Sequence, residues 1–384
     1  MNDQRDDVAP IYLHIGPMKT GTSFLQQTLS DNQAVLRTHG VLVPGRSPRA
    51  DHVRAVRDVT GLDGQEGRGS FTGAWESLRE EMFAFDGHAS VVSQEFMSFA
   101  RRPRARAIVQ SLAPATVHVV LTVRDAARVV PASWATSTRN RNTASWPDHL
   151  AAVSGSGGAA RRRALRALDV PRMLESWGDQ VPPEQLHVVT VPPPGAPDDL
   201  LWDRFATVVG ATAAPVDLTG ATRRESYGYT SADLMRRVNE HLQDLPRPVY
   251  HRSKRWLLDE VLDKRSGEPK VPVSSALLEL AAEWNARTVA AVKESRARVV
   301  GDLADLDVSA QADVDVADVP AQDETLAVAA EVTSRLRERI RAEYGHAAVE
   351  QKPPTGSDPV ADAAAEIAAL MQQADGPRTG GAGR

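Results

Sequence analysis

The sequence predicts an α/β protein: a doubly wound parallel sheet flanked by helices, with a mostly helical C-terminal part. Three observations carry this. Short runs rich in β-branched residues (11–15, 89–95, 116–123 and 186–190) alternate with stretches of helical periodicity. The run 116–123 is nearly apolar throughout, as in a central strand covered on both faces. From Ser231 onward the helical pattern dominates.

The elements follow in order. Residues 1–9 are polar and acidic and predict a disordered tail. The strand 11–15 closes at Gly16-Pro17, and a helix is expected over 22–38, stopped by His39-Gly40. A short apolar run at 41–43 follows, then a weak helix at 52–59 within a mixed segment, 46–70. A helix at 75–85 leads to the strand 89–95, which ends polar. A helix over 103–112, with Pro103 in its first turn, precedes the strand 116–123. The helix 126–139 should kink or restart at Pro131. A Gly/Ser interruption at 154–158, a basic helix at 161–168, a helix at 170–177, the strand 186–190 and the helix 200–209 complete the alternation. Later helices are expected over 231–242, 254–262, 274–298 and 325–344. The expected organisation is one α/β domain over 10–306, an acidic linker at 307–322, a helix within 323–346, and a largely disordered tail at 347–384 with an alanine-rich helix at 359–373.

The stretch after the first strand carries the chemistry. Gly16 and Gly21 keep the G-x-x-x-x-G spacing of a phosphate-binding loop. Thr22 stands where a nucleoside triphosphatase has lysine, and the lysine lies inside the loop, at Lys19. Thr20, Thr22 and Ser23 place hydroxyls beside it. A strand, tight loop and helix N-terminus bring unpaired N–H groups and a positive helix end to one point. The expected fold is therefore P-loop-like, and the expected ligand carries a 5′-phosphate without needing a metal.

Pro17-Met-Lys19-Thr-Gly21-Thr-Ser23 resembles the 5′-phosphosulfate loop of sulfotransferases that use 3′-phosphoadenosine 5′-phosphosulfate (PAPS). Many members read P-K-[ST]-G-T-[TS]; Met18 is an insertion of the kind expected in the bacterial branch. The stretch from Thr122 to Trp134 resembles the family's 3′-phosphate site, which implies that Arg124 and Ser133 grip that phosphate. Ser133 is the ninth residue after the arginine, where relatives have the eighth. The resemblance also implies Phe24 against the adenine and Arg223 or Arg224, in the polar loop 221–228, near a phosphate. Residues 299–303 resemble the end of such domains, so the likeness spans roughly 10–306.

The implied reaction moves a sulfonate group from PAPS to a hydroxyl or amine acceptor. Lys19, with the Thr20 to Ser23 amides, would stabilise the leaving oxygen. Glu95 is the first choice of general base, His52 the second, and His39 a third that fits better as a helix cap. Arg139, Arg141, Trp146, Tyr250 and His251, on the loops 139–163 and 245–272, are candidates for an acceptor pocket.

The totals narrow the classes. A 384-residue chain without cysteine has no disulfide, thiolate metal site or cysteine nucleophile. A net charge of −5 argues against bulk nucleic-acid binding. No apolar run approaches the roughly 20 residues of a membrane span, and no signal peptide is evident, so the expected location is cytoplasmic. Alanine- and arginine-rich usage points to a bacterial genome. The acceptor is expected to be a small molecule or glycan. Two other readings stay open: a kinase or nucleotide hydrolase with a degenerate loop, and a non-catalytic nucleotide-binding module.

Overall fold

Six strands, β1 (Ile11–Gly16), β2 (Val41–Leu42), β3 (Ala89–Ser93), β4 (Val117–Val123), β5 (Leu186–Thr190) and β6 (Arg298–Val300), form one sheet. The computed structural model describes residues 8–61, 71–155, 158, 168–222, 228–308, 319–344 and 358–375. Strand order is β2-β3-β1-β4-β5-β6 and every neighbouring pair is parallel. Leu13 pairs with Val92 on one side and Val119 on the other. Parallel pairing demands a crossover between successive strands, and the helices supply it.

The chain divides into two units, Met1–Val129 with Ser156–Arg224 and Ala276–Gln311, and Val130–Gly155 with Glu225–Ser275 and Ala312–Arg384.

The first unit holds the sheet. Helix numbers run along the chain: α1 (Thr22–Asp31), α2 (Gln33–Thr38), α3 (Pro48–Thr60), α4 (Ala74–Phe83), α5 (Arg102–Ser111), α8 (Val170–Gly178), α9 (Leu200–Val209), the short α10 (Thr219–Thr222) and α13 (Ser275–Ser295). Alternate strand residues face two cores. Ile11, Leu13 and Ile15 join Val119 and Leu121 beneath α3, α4, α5 and α8. On the other face Val91, Val120 and Val189 join Leu25 and Leu29 of α1 and Phe205 of α9. Helices on both faces explain why β4 is apolar along its length.

Two elements depart from expectation. The helix over 22–38 is interrupted at Asn32, whose side chain donates to Thr28 O at 2.9 Å and Asp217 O at 2.8 Å. A distant carbonyl thus competes with the helical ladder. β6 was not anticipated as a strand: it has three residues, and Val299 is 38% exposed.

The second unit has its own core. It comprises α7 (Trp146–Ser154), α11 (Tyr229–Glu240), α12 (Arg247–Glu260), α14 (Gln322–Tyr344) and α15 (Pro359–Asp375), while α6 (Ala126–Thr138) carries the chain into it and contains Pro131 as one continuous helix. Leu234, Leu257, Val332 and Leu336 pack with Ile367, Leu370 and Met371. The alanine-rich helix expected at 359–373 within the tail is α15, and it is buried. Its alanine-rich sequence is amphipathic, and the apolar stripe faces inward.

Residues proposed to line an acceptor pocket are structural here. Trp146 is buried against Trp134, with ring centroids 5.8 Å apart. Tyr250 is buried, donates to Asn239 Oδ1 at 2.9 Å and accepts from Arg141 N at 3.2 Å. The Arg141 guanidinium lies over the Tyr250 ring, 4.4 Å from its centroid. Arg139 is paired with Asp263. These bonds fix the loop after α6; His251 is half-buried beside them.

Candidate functional site

β1 ends where the backbone turns left-handed. Gly16 has φ +92°, Lys19 φ +67° and Gly21 φ +81°. Glycine is required at both ends for space as well as conformation. A Cβ on Gly16 would lie 3.0 Å from Glu95 Cβ, and one on Gly21 would lie 2.4 Å from Leu201 Cδ2. Lys19 adopts this region with a full side chain, a rare state for a non-glycine residue. Three left-handed residues in six coil the chain into a tight cup.

α1 starts directly from this cup. Gly21 is its N-cap, no side chain caps the first turn, and no acidic residue stands there. The first amides and the positive helix end are therefore left for a ligand. Lys19 is half-buried, Thr22 is buried and Ser23 is exposed. The Thr20 hydroxyl, expected as a ligand donor, donates instead to Pro17 O at 2.6 Å. Phe24, expected against an adenine, is half-buried and packs against the core beneath α1 and α9.

Arg124 follows the last residue of β4. Its Nη1 donates to the Lys19 carbonyl at 3.2 Å, and its Nε is buried with no hydrogen-bond partner. Burial, with a smaller push from the nearby Arg128 charge, lowers the guanidinium to about 10, so it stays charged at neutral pH. A desolvated cation whose bonded acceptor is a neutral carbonyl gains much from an anion. The neighbouring Asp125 charge works the other way from burial and raises the guanidinium value. Asp125 pairs with Arg128 and accepts from Arg128 N at 3.0 Å, capping α6, while Arg128 also donates to Pro192 O at 2.8 Å.

Pro17, Thr20 and Arg124 line a cleft closed by Trp284 and Thr288 of α13. Trp284 Nε1 is buried without a hydrogen-bond partner. The space is about 20 Å³, room for one water-sized group.

Glu95 begins the 3-10 turn Glu95–Phe99 immediately after β3. Its Oε2 accepts from Gln26 Nε2 on α1 at 2.6 Å, and the residue is half-buried. Strand ends, loop and Glu95 thus share the carboxyl edge of the sheet, where parallel sheets bind ligands.

His52, the second choice of base, is excluded by its surroundings. It is 2% exposed, accepts from Ser93 N at 3.2 Å and donates from Nε2 to Pro44 O at 3.1 Å. Burial pushes it down to about 4. Both ring nitrogens are spent on backbone groups, so none reaches a substrate. His39 is exposed at the end of α2, with Nδ1 2.9 Å from Val35 O, as a cap would be. Ser133 lies on α6, half-buried, in the second unit. Arg223 and the basic run 161–167 lie outside the described residues.

Four contributors were missed: Gln26, Ser93, His14 and Thr122. His14 and Thr122 had a signal, each being a polar residue inside an apolar strand two positions before Gly16 and Arg124. Gln26 and Ser93 had none. Among the described residues no group of three or more His, Asp or Glu is placed to hold a metal ion, and no described helix is long and apolar enough to cross a membrane. No family model, curated protein or solved structure matches the chain.

Proposed function

We propose that the chain is a sulfotransferase that moves a sulfonate group from PAPS to a hydroxyl or amine acceptor and releases adenosine 3′,5′-bisphosphate. One observation carries the reading: a left-handed Lys19 in a glycine-bounded cup at an uncapped helix start, bonded through its carbonyl to Arg124. The cup supports a P-loop-like role for one terminal phosphate.

In this reading Gly16 and the amides of Lys19 to Ser23 receive the 5′-phosphate, and Arg124 meets a second phosphate with its free nitrogens. The acceptor oxygen or nitrogen attacks sulfur in line. The bond from sulfur to the 5′-phosphate oxygen breaks, and Lys19 stabilises the charge that collects there. Glu95, steadied by Gln26, takes the acceptor's proton. No residue is assigned to acceptor recognition.

Calorimetry separates this from the rival classes. Adenosine 3′,5′-bisphosphate is expected to bind without magnesium and more tightly than adenosine triphosphate. Preference for the triphosphate with magnesium would instead indicate a kinase or hydrolase. Incubation with labelled PAPS and a panel of phenols, alcohols, sugars and amines then tests turnover; tight bisphosphate binding with no acceptor sulfated would leave a binding module.

A further inference from the structure

Four side chains stand in a line across the carboxyl edge of the sheet: Ser93 at the end of β3, His14 in β1, Thr122 in β4 and Thr20 in the loop. Ser93 Oγ lies 2.7 Å from His14 Nδ1, His14 Nε2 lies 3.3 Å from Thr122 Oγ1, and Thr122 Oγ1 lies 2.6 Å from Thr20 Oγ1. The line ends at Pro17 O, 2.6 Å from Thr20 Oγ1.

Only one arrangement of protons satisfies all four bonds. A carbonyl can only accept, so the single Thr20 hydroxyl proton points at Pro17. Thr122 must therefore donate to Thr20, and its oxygen accepts from His14 Nε2–H. His14 Nδ1 is left with its lone pair toward the Ser93 hydroxyl. The sequence of donors fixes the His14 tautomer. The imidazole is fully buried and meets the Phe205 ring edge to face, with centroids 5.3 Å apart. Burial holds it neutral, pushed down to about 3. A second arm anchors the start of the line: Ser93 N donates to His52 Nδ1, and His52 donates to Pro44 O.

We propose that His14 and Thr122 are positioning residues, and that this ordered line holds the turn from Pro17 to Thr20, and with it the left-handed Lys19, in its anion-receiving shape before the nucleotide arrives. The inference rests on the loop being the nucleotide's phosphate site. Neither residue touches the ligand; each acts through Thr20. Ordering the loop in the free protein removes a cost that binding would otherwise meet.

Thr122→Val keeps the shape of the side chain and breaks the line in its middle. At a temperature well below each variant's own melting point, calorimetry with adenosine 3′,5′-bisphosphate is expected to show Kd raised about tenfold, the loss of one buried hydrogen bond. Thr122→Ser restores the hydroxyl and is expected within about twofold of the unsubstituted protein. His14→Gln, which keeps a donor toward Thr122, is expected to bind more tightly than His14→Leu. A purely structural role would lower melting temperature and leave Kd of the folded protein unmoved. Equal Kd for Thr122→Val and the unsubstituted protein, or equal weakening in Thr122→Val and Thr122→Ser, overturns the proposal and leaves the nucleotide reading standing. No binding by the unsubstituted protein removes the nucleotide reading and this one with it.

Discussion

The guanidinium of Arg124 donates to the main-chain carbonyl of Lys19 at 3.2 Å, although 105 residues separate them. The bond ties the end of β4 to the cup after β1 with one nitrogen of a five-donor fork. Arg124→Ala should therefore weaken adenosine 3′,5′-bisphosphate binding by roughly tenfold to a hundredfold, the range for a charged hydrogen bond. Arg124→Lys should stay at least about fivefold weaker than the unsubstituted protein, since an ammonium cannot hold carbonyl and phosphate in the same geometry. A lysine variant with unchanged Kd in a titration would mean that the fork is not in use.

Lys19→Ala should lower turnover of PAPS by about two to three powers of ten, by analogy with the loss of one oxyanion donor. Alanine also tolerates φ +67° poorly, so Lys19→Gly is the companion variant that keeps the backbone shape. Steady-state rates on any accepted substrate decide this. Near-normal kcat in both would take the ammonium out of the chemistry.

Glu95→Gln should cost about two to four powers of ten in kcat and abolish the fall in rate on the acid side of the pH profile. Gln26→Leu removes the donor 2.6 Å from Glu95 Oε2 and should lower kcat about tenfold with bisphosphate Kd unchanged. An acid limb that persists in Glu95→Gln points to another base.

Acid should destabilise the first unit through its buried histidines. Burial holds His14 at about 3 and His52 at about 4, and burial followed by the His118 and Arg298 charges holds His187 at about 4. Unfolded histidine titrates near 6.5, so between about 4 and 6.5 the unfolded chain binds more protons. Stability is complete above about 6.5 and falls as the pH drops through that window, by a total on the order of several kcal/mol. Melting temperature measured from pH 7 to pH 4.5 should decline, and more shallowly in His52→Gln than in the unsubstituted protein. A flat profile would contradict the burial of these rings.

The parts legible in the sequence are those set by local pattern. The change from a short β-branched run at Ile11 to Ile15 to helical spacing from Thr22 located β1, the cup and the start of α1, though not its end at Asp31. The apolar run of β4 likewise announced a central strand. What was not legible depends on partners far along the chain. Asn32 breaks its helix for a carbonyl at Asp217, and His52 is a helix residue like many others until α3 brings it to Ser93. Tyr250 and Trp146 look like loop aromatics and are core, because their partners lie on other helices. Glu95 was expected at the polar end of a strand and instead begins the turn after β3, and the amide that steadies it comes from α1, a turn away from any motif.

The interleaved path of the chain has a consequence for how the protein is made. The first unit draws on three separate pieces and the second on three others, the last of them containing α15. During synthesis the sheet cannot be completed until β6 has emerged, and the second core stays open until α15 leaves the ribosome. Expression boundaries set near residue 306 or 350 would strip Ile367, Leu370 and Met371 from that core and expose its apolar interior to aggregation.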